Sequence, residues 1–357
     1  MWKALLVISF FAVTGNANDC VPRSFGPDKI VCVCNATYCD ATPDNNPKVP
    51  EEGNFYWYVS TKKGLRMHMS KSSFRSCGLF LGATLTIDST KQYQTILGYG
   101  GAFTDSTGIN IKKLSPATQD QLIRAYYDPV KGSRYSLGRV PIGGTDFSTR
   151  PYTYDNVSDD TLLEHFALAP EDYDYKIPFI QKAMKLNPDT KLVSAAWSPP
   201  IWMKTSDRIN GLGILKKEYY QACADYIVKF INEYKKNGLD IWAVTPGNEP
   251  TNGLVPFGPL NAMGWTPGTV ADWVGDFLGP TLAASQHNRT LILALDDQRS
   301  ELPLFVQLMW ANEKAKKYSA GTAVHWYFDA YVPPVVLDLT HNAFPDKFIL
   351  LTEASTG

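Results

Sequence analysis

From about residue 91 onward, segments with the composition of β-strands alternate with segments whose apolar residues recur at helical spacing. This alternation restricts the fold strongly, because strands that are separated by helices pair in parallel. The predicted strands are Tyr93–Thr104, Ser136–Ile142, Lys191–Trp197, Ile241–Thr245, Thr290–Leu295, Thr322–Trp326 and Lys347–Thr352. The predicted helices are Ser115–Tyr127, Ile177–Leu186, Lys217–Lys236, Val270–Ser285 and Leu302–Lys317.

Seven strands of this kind are one short of a (β/α)₈ TIM barrel. The length of 357 residues suits a barrel with a smaller module. We therefore expect an α/β fold in which residues 91–357 form a TIM barrel, truncated after about strand seven and incomplete at the C-terminus. Because a missing strand leaves an unpaired sheet edge, we expect the chain as it stands to be neither stable nor active.

The first 17 residues have the features of a secretory signal peptide. Lys3 supplies the positive start, Ala4–Val13 the apolar run and Gly15–Ala17 the small-residue cleavage site. The run is too short to span a bilayer, although an uncleaved anchor is the alternative. We expect no transmembrane segment in the mature chain, because no later segment approaches 18 uninterrupted apolar residues.

Residues 18–90 predict a small β module that contains four clustered cysteines, Cys20, Cys32, Cys34 and Cys39. Four cysteines allow three disulfide pairings. A zinc site is the alternative, but the spacing is not that of a zinc finger and no histidine lies nearby. The cluster therefore predicts disulfides. In an exported chain, Asn35, Asn156 and Asn288 begin glycosylation sequons.

Polar and aromatic side chains follow the ends of six predicted strands, where barrel enzymes carry their catalytic groups. In chain order they are Asp146, Trp197, Asn248 with Glu249, Asp296 with Asp297 and Gln298, His325 with Trp326 and Tyr327, and Glu353. For Asp146 the alternative is a helix cap, and for Trp197 it is barrel packing. We favour a functional role for both because they follow strand ends.

Glu249 and Glu353 each follow an apolar strand, and about three βα units separate them. That spacing places them across a barrel from each other. Two carboxyl groups about 5–5.5 Å apart would make a retaining glycoside hydrolase, but the sequence gives no distance. Either glutamate taken singly could instead be a helix cap or an ion-pair residue.

Six segments carry a family resemblance: Cys32–Cys39, Gly98–Ala102, Trp242–Pro250, Leu295–Arg299, Ala323–Tyr327 and Thr352–Ala354. They resemble the glucosylceramidases of glycoside hydrolase family 30, over nearly the whole mature chain. The resemblance implies a retaining β-glucosidase that hydrolyses glucosylceramide to glucose and ceramide by double displacement. It also implies that the N-terminal β module joins a C-terminal β-sandwich.

The resemblance also implies a role for individual residues. It assigns Glu249 as the acid/base and Glu353 as the nucleophile. It implies that Asp146, Trp197 and Asn248 contact the glucose. It further implies that Tyr327 lies beside the nucleophile and that Arg139 supports the nucleophile. Gln298 is implied to lie in the wall of the cleft. The alternative for Arg139 is a structural partner of Asp296 or Asp297, and for Tyr327 it is barrel packing. The implied disulfides are Cys20–Cys32 and Cys34–Cys39.

The resemblance implies a glycolipid substrate at a membrane surface as the partner, with a saposin-type activator as a candidate second partner. The expected route is the secretory pathway to the lysosome, with secretion as the alternative. We expect no cofactor, because no nucleotide-binding or zinc-protease motif is present and the histidines lack metal spacing. The formal charge of −1 gives no support for a nucleic-acid partner.

Two other functions fit the residues. One is a related retaining β-glycosidase that acts on another β-glucoside or on xylan, against which the cysteine segment argues. The other is an inactive, truncated relative that acts as a binding protein, against which the presence of both glutamates argues. Gly247 stands where the animal enzymes usually have a carboxylate, and we expect this difference to alter the tuning of the acid/base.

Overall fold

A computed structural model describes residues 21–27, 30–39, 49–61, 65, 67–74 and 86–355. The chain divides into two compact units, which we describe separately. One unit comprises Met1–Leu97 and Ser115–Arg134, and the other comprises Gly98–Leu114 and Tyr135–Gly357. The predicted domain boundaries at residues 17 and 90 stay predictions.

The first unit contains two antiparallel strand pairs. Strand β1 (Pro22–Ser24) pairs with β2 (Ile30–Cys32), and β3 (Asn54–Val59) pairs with β4 (His68–Ser73). Helix α2 (Pro116–Tyr127) also belongs to this unit, and the Ser115 side chain caps it by accepting a hydrogen bond from the Thr118 amide.

The second unit contains a parallel sheet of seven strands in sequential order. The strands are β5 (Gly100–Ala102), β6 (Leu137–Ile142), β7 (Lys191–Ala196), β8 (Ile241–Val244), β9 (Leu291–Gln298), β10 (Ser319–His325) and β11 (Phe348–Glu353). Neighbouring strands run parallel throughout, which confirms the predicted α/β class. All the carboxyl ends therefore meet at one edge of the sheet.

Helices connect the strands of this sheet. Within the second unit they are α1 (Asp105–Lys112), α3 (Ile177–Leu186), α4 (Tyr220–Lys236), α5 (Pro267–Trp273), α6 (Gly279–Ala284), α7 (Leu304–Met309), α8 (Glu313–Tyr318) and α9 (Val335–Ala343). None of the helices in the described residues is long and apolar enough to cross a membrane.

Several elements differ from the sequence-based prediction. The strand predicted at 93–104 is reduced to β5, and α1 begins directly after it because Thr104 caps the helix by accepting a hydrogen bond from the Thr107 amide. The helix predicted at 302–317 is two helices, α7 and α8. Asn312 separates them, because its side chain accepts hydrogen bonds from the first amides of α8 and so starts a new helix.

One layer of apolar side chains fills the inner face of the sheet below its carboxyl edge. Val193, Ala243, Leu293, Ala323 and Leu350 form a buried cluster, with one residue from each strand from β7 to β11. Such layers make the interior of a barrel a packed core. The layer supports the polar side chains that follow the same strands.

A fully buried ion pair lies between α3 and the end of β6. Lys176 lies 3.2 Å from Asp172, and neither side chain is exposed. Lys176 also donates to the Pro141 and Gly143 carbonyl groups, while Asp172 accepts hydrogen bonds from the hydroxyls of two buried tyrosines, Tyr154 and Tyr234. The pair therefore ties α3 and α4 to the loop that follows β6.

We expect Lys176→Met to lower the free energy of unfolding by about 3–5 kcal/mol, because it leaves the Asp172 carboxylate buried without its counter-charge. The double variant Lys176→Met/Asp172→Asn should recover part of this loss. Urea unfolding followed by circular dichroism would measure both. Lys236→Met is the matched control, since it breaks only the exposed pair with Glu233 and should cost less than about 1 kcal/mol. A loss for Lys176→Met no larger than that of the control would contradict the expectation.

Candidate active site

A bulge in β9 places a carboxylate at the centre of the carboxyl edge. Leu295 lies opposite Ala323 of β10, but Asp297 lies opposite the next residue, Val324, so Asp296 is the extra residue. Leu295 and Asp296 both have positive φ values, of 69° and 65°. Regular alternation would place Asp297 on the inner face with Leu295. The bulge places Asp296 there instead.

Asp296 is fully buried and accepts hydrogen bonds from a residue within β6 and from residues at the ends of three other strands. The donors are Arg139 Nη2 at 2.8 Å, Thr245 Oγ1 at 2.8 Å, His325 Nε2 at 3.0 Å and Thr352 Oγ1 at 2.6 Å. Burial alone would raise the pKa of Asp296, but the positive charge of Arg139 and the hydrogen bonds hold it well below its usual range. The carboxylate is therefore a fixed negative charge.

His325 connects this carboxylate to Glu249. Its Nε2 lies 3.0 Å from Asp296 Oδ1, and its Nδ1 lies 2.9 Å from Glu249 Oε1. Burial lowers the pKa of His325, but the hydrogen bonds with Asp296 and Glu249 more than offset it and raise the pKa to about 9. The imidazole is therefore a cation at neutral pH and donates from both nitrogens.

Glu249 follows β8, and its φ of 44° is in the left-handed region that residues other than glycine rarely adopt. Its amide donates to the Asp296 carbonyl group at 2.9 Å, which holds this conformation in place. Besides His325, Gln298 Nε2 donates to Oε1 at 2.8 Å, and Asn252 Nδ2 donates to Oε2 at 2.6 Å. Three donors thus fix the orientation of the carboxyl group, which is largely buried.

Glu353 is the last residue of β11, and two donors hold it. Arg139 Nη1 donates to Oε2, and the Tyr327 hydroxyl donates to Oε1 at 2.7 Å. Glu353 faces Glu249 across the end of the sheet, since carboxylate oxygens of both residues and a ring nitrogen of His325 all lie within 4.8 Å of one another. Burial, together with the hydrogen bond to Glu353, raises the pKa of Tyr327 to about 12.

Arg139 organises the floor of the site. It donates hydrogen bonds to Glu353 and to Asp296, so it makes both of the contacts that were considered for it as alternatives from the sequence. Its Nη2 also donates to Asn248 Oδ1 at 2.7 Å, and its guanidinium lies 4.8 Å from the ring centre of Trp197, which is buried. Since Asn248 Oδ1 accepts from Arg139, the amide NH₂ is the group of Asn248 that can bind a sugar hydroxyl.

Asp146 and Gln298 occupy different settings. Asp146 follows β6 on the exposed rim, and its partial burial and the negative charge of Glu353 raise its pKa. Gln298 is buried and donates to Glu249, so it contacts the predicted acid/base itself, whereas the resemblance implied a place in the cleft wall. The two residues lie at different strand ends, after β6 and at the end of β9.

Sequence reasoning placed His325, Asp296 and Asp297 among the groups at the strand ends but assigned none of them a role in the chemistry. Asp297 accepts hydrogen bonds from the Thr251 amide at 3.0 Å and hydroxyl at 2.7 Å, and so fixes the loop that begins with Glu249. Burial raises the pKa of Asp297 to about 6. Asn252 was not considered at all, because a lone asparagine in a loop carries no sequence signal.

The residues Glu249, His325 and Glu353 also have the side-chain types of a divalent metal site. A histidine binds a metal ion through the lone pair of a ring nitrogen, which requires the neutral imidazole. Both nitrogens of the cationic His325 donate hydrogen bonds to carboxylates, which favours a proton-transfer site over a metal centre.

The remaining predicted sites are the cysteines and the glycosylation sequons. Cys34 and Cys39 form a disulfide, and Cys32 is disulfide-bonded as well. Cys20, its predicted partner, lies outside the described residues. Asn35, Asn156 and Asn288 are all exposed, as glycosylation would require. Cys223 is a buried free thiol on α4.

Comparison with known proteins identifies the family of this arrangement. Residues 96–357 match the family profile described as the glycosyl hydrolase family 30 TIM-barrel domain. The chain is 41% identical to the lysosomal acid glucosylceramidase of Mus musculus over 347 residues, which is 96% of this chain and 67% of that protein. It is 39% identical to putative glucosylceramidase 3 of Caenorhabditis elegans, over 100% of this chain and 70% of that protein.

A solved structure gives a similar result. The endo-β-1,6-glucanase BT3312 is 32% identical, with a TM-score of 0.68 over 76% of this chain and 60% of that chain. The chain thus spans between 60% and 70% of the length of these relatives. The match to the TIM-barrel profile confirms the barrel fold that was predicted from the strand order.

The protonation of His325 leads to a pH-dependent contribution to stability. Its pKa is about 9 in the folded protein and 6.5 when exposed, so the stabilisation is complete below pH 6.5 and is lost as the pH rises through 9. We expect the free energy of unfolding of the wild type to fall, relative to His325→Gln, by roughly 3 kcal/mol over this range. Chemical denaturation at a series of pH values would measure the difference.

His341→Gln is the control for this prediction, because His341 lies on the exposed surface of α9. Its stability curve should run parallel to that of the wild type. The prediction is wrong if the His325→Gln curve runs parallel to the wild type as well.

Proposed function

Because the chain belongs to glycosyl hydrolase family 30, and is therefore a glycosidase, we propose that it is a retaining β-glucosidase that hydrolyses glucosylceramide to glucose and ceramide. The proposed acid/base is Glu249 and the proposed nucleophile is Glu353. The observation that carries the proposal is that carboxylate oxygens of these two residues lie within 4.8 Å of each other.

The distance between the carboxyl groups distinguishes the two mechanisms of glycoside hydrolysis. Inverting enzymes need room for a water molecule and separate the groups by about 6.5–9.5 Å, whereas retaining enzymes hold them about 5–5.5 Å apart. One oxygen of Glu249 and one of Glu353 lie within 4.8 Å of each other, which favours the shorter separation. It supports direct attack by one of the carboxylates.

In the first step, a carboxylate oxygen of Glu353 attacks the anomeric carbon of glucose. The bond to the ceramide oxygen breaks, and that oxygen takes the proton of Glu249, which leaves a covalent glucosyl ester on Glu353. In the second step, a water molecule gives a proton to Glu249 and attacks the same carbon. The ester bond breaks, β-glucose is released and Glu353 is again a carboxylate.

The different neighbours of the two carboxylates support this division of roles. Arg139 keeps its charge throughout, which suits Glu353 as a group that must attack as an anion. The charged neighbour of Glu249 is His325, which can itself exchange a proton. This suits a group that must give and regain a proton in each cycle.

Other residues at the rim supply the proposed contacts to glucose. The indole of Trp197, the carboxyl group of Asp146 and the amide NH₂ of Asn248 border the two glutamates at the ends of β7, β6 and β8. Aromatic rings and carboxylates of this kind bind the faces and hydroxyl groups of sugars. An amide donor to the 2-hydroxyl would strengthen in the transition state.

A lipid aglycone is supported by the relatives and by the loop that follows β10. The mouse and nematode relatives are glucosylceramidases by name. Trp326, Phe328 and Tyr331 are exposed in the same loop as Tyr327, which gives the rim an apolar part. The lysosome, reached through the secretory pathway, is the proposed location, as the name of the mouse relative indicates.

A second candidate function is hydrolysis of β-1,6-glucan. The similarity to the endo-β-1,6-glucanase structure favours it, since that protein is 32% identical. Turnover of glucosylceramide in detergent micelles and of soluble β-1,6-glucan can be compared directly. Turnover of the glucan alone would make this second function the correct one.

Rescue by azide tests the proposed roles of the two glutamates. Glu249→Ala loses proton donation, so it should keep more activity on nitrophenyl glucoside than on an alkyl glucoside, and azide should give the β-glucosyl azide. Glu353→Ala loses the covalent ester, so it should be inactive on both substrates, and azide should give the α-anomer. Proton NMR identifies the anomers.

Glu313→Ala serves as the control, because Glu313 lies on the surface helix α8 away from the rim. It should keep the activity of the wild type. Opposite anomers would show that the roles of the two glutamates are exchanged. Full activity in both variants would refute the proposed function.

A further inference from the structure

The second unit contains two fully buried lysines, which have different surroundings. Lys176 is paired with Asp172. Lys204 is equally buried, but no carboxylate in the described part of the chain lies within ion-pair distance of it. Burial lowers the pKa of Lys204 to about 8. A buried ammonium without a counter-charge is unfavourable unless hydrogen bonds offset its desolvation.

The hydrogen bonds of Lys204 join two loops at the carboxyl edge. We call residues 197–216 the β7 loop and residues 245–266 the β8 loop. The Lys204 Nζ group donates to the Ile209 carbonyl in the β7 loop at 3.1 Å and to the Ala262 carbonyl in the β8 loop at 2.6 Å. The Ala262 amide donates to the same Ile209 carbonyl at 3.1 Å.

Two further backbone hydrogen bonds join the β7 loop to the β8 loop. The Gly213 amide donates to the Gly253 carbonyl at 2.9 Å, and the Gly264 amide donates to the Gly213 carbonyl at 2.7 Å. Gly253 and Gly264 pack so closely that a Cβ on Gly253 would lie 2.0 Å from the Gly264 nitrogen. The two loops therefore form one paired structure, with Lys204 in its interior.

The β8 loop carries a residue that orients the proposed acid/base. Asn252 directly precedes Gly253, and its Nδ2 donates to Glu249 Oε2 at 2.6 Å. Asp297 holds Thr251 on one side of this asparagine, and the pairing of Gly253 with Gly213 of the β7 loop holds the other side. A displacement of the β8 loop would remove one of the three donors that fix the Glu249 carboxyl group.

We propose that Lys204 is a positioning residue for proton donation, which clamps the β7 and β8 loops together and thereby holds Asn252 against Glu249. The proposal rests on the role proposed for Glu249. Lys204 does not contact the substrate or the reacting atoms. It acts through the backbone of both loops.

The clamp has a kinetic consequence that stability alone would not produce. A misplaced Glu249 carboxyl group transfers its proton less well, and this matters most when the leaving group is a poor one. Alkyl glucosides need the proton, whereas nitrophenyl glucosides depart with little assistance. Loss of the clamp should therefore change the ratio of the two kcat/KM values.

The test is Lys204→Met, which keeps the length of the side chain and removes its donors. We expect the ratio of kcat/KM for nitrophenyl glucoside to kcat/KM for octyl glucoside to rise about tenfold, a fraction of the roughly 10²–10⁴-fold effect of general acid catalysis. Tyr234→Phe is the matched control. It removes a buried hydrogen bond to Asp172, on α4 rather than in the two loops, and should leave the ratio unchanged.

A second variant covers the case in which Lys204→Met does not fold. In Gly213→Ala the new Cβ would contact Ser206 Oγ and lie 3.2 Å from Lys204 Cε, so it displaces the clamp while retaining the charge. It should raise the ratio in the same direction. A wild-type ratio in whichever of the two variants folds would overturn the proposal, as would an equal rise in Tyr234→Phe. A wild type without β-glucosidase activity would instead refute the proposed function.

Discussion

The arrangement of the site depends on one buried carboxylate, Asp296. It lies in β9 and accepts hydrogen bonds from Arg139 within β6 and from residues at the ends of β8, β10 and β11. Burying this charge is favourable only because Arg139 and His325 neutralise it and the two threonine hydroxyls complete its hydrogen bonding. Each of the two cations also donates to a different glutamate, Arg139 to Glu353 and His325 to Glu249. The two glutamates are thus connected to each other through a third carboxylate, that of Asp296.

This dependence explains which parts of the structure the sequence could predict. The order of strands and helices follows from periodicity, and the strand ends follow from the rule that parallel strands end at one edge. Glu249 and Glu353 could therefore be assigned to the rim from their position after β8 and β11. The bulge could not be predicted in this way, because alternation assigns Asp297 and not Asp296 to the inner face. Two consecutive non-glycine residues with positive φ give no signal in the sequence.

Hydrogen bonding to side chains accounts for the other differences. Helix α1 directly follows the short β5 because Thr104 caps it, and α7 and α8 are separate because Asn312 caps the second helix. Both residues are common in loops as well as at caps, so periodicity alone could not place these ends. Asn252 is a similar case. It lies in a turn whose neighbouring residue, Gly253, pairs with the β7 loop, and the pairs between the two loops join residues about 40 to 60 positions apart in the chain.

The two cations at the base of the site differ in a way that matters for the two glutamates. A guanidinium keeps its charge at every pH at which the protein is folded, so the field at Glu353 is constant. The charge on His325 depends on the state of both its neighbours, since each of its ring nitrogens faces a carboxylate. In the proposed reaction Glu249 gives up its proton, and the negative charge that would appear there faces an imidazolium held by Asp296, which can stabilise it without rearrangement. The bulge in β9 places Asp296 on the inner face, and Asp296 in turn holds the His325 cation beside the proposed acid/base. This cation can stabilise the charge that the proposed reaction would create on Glu249.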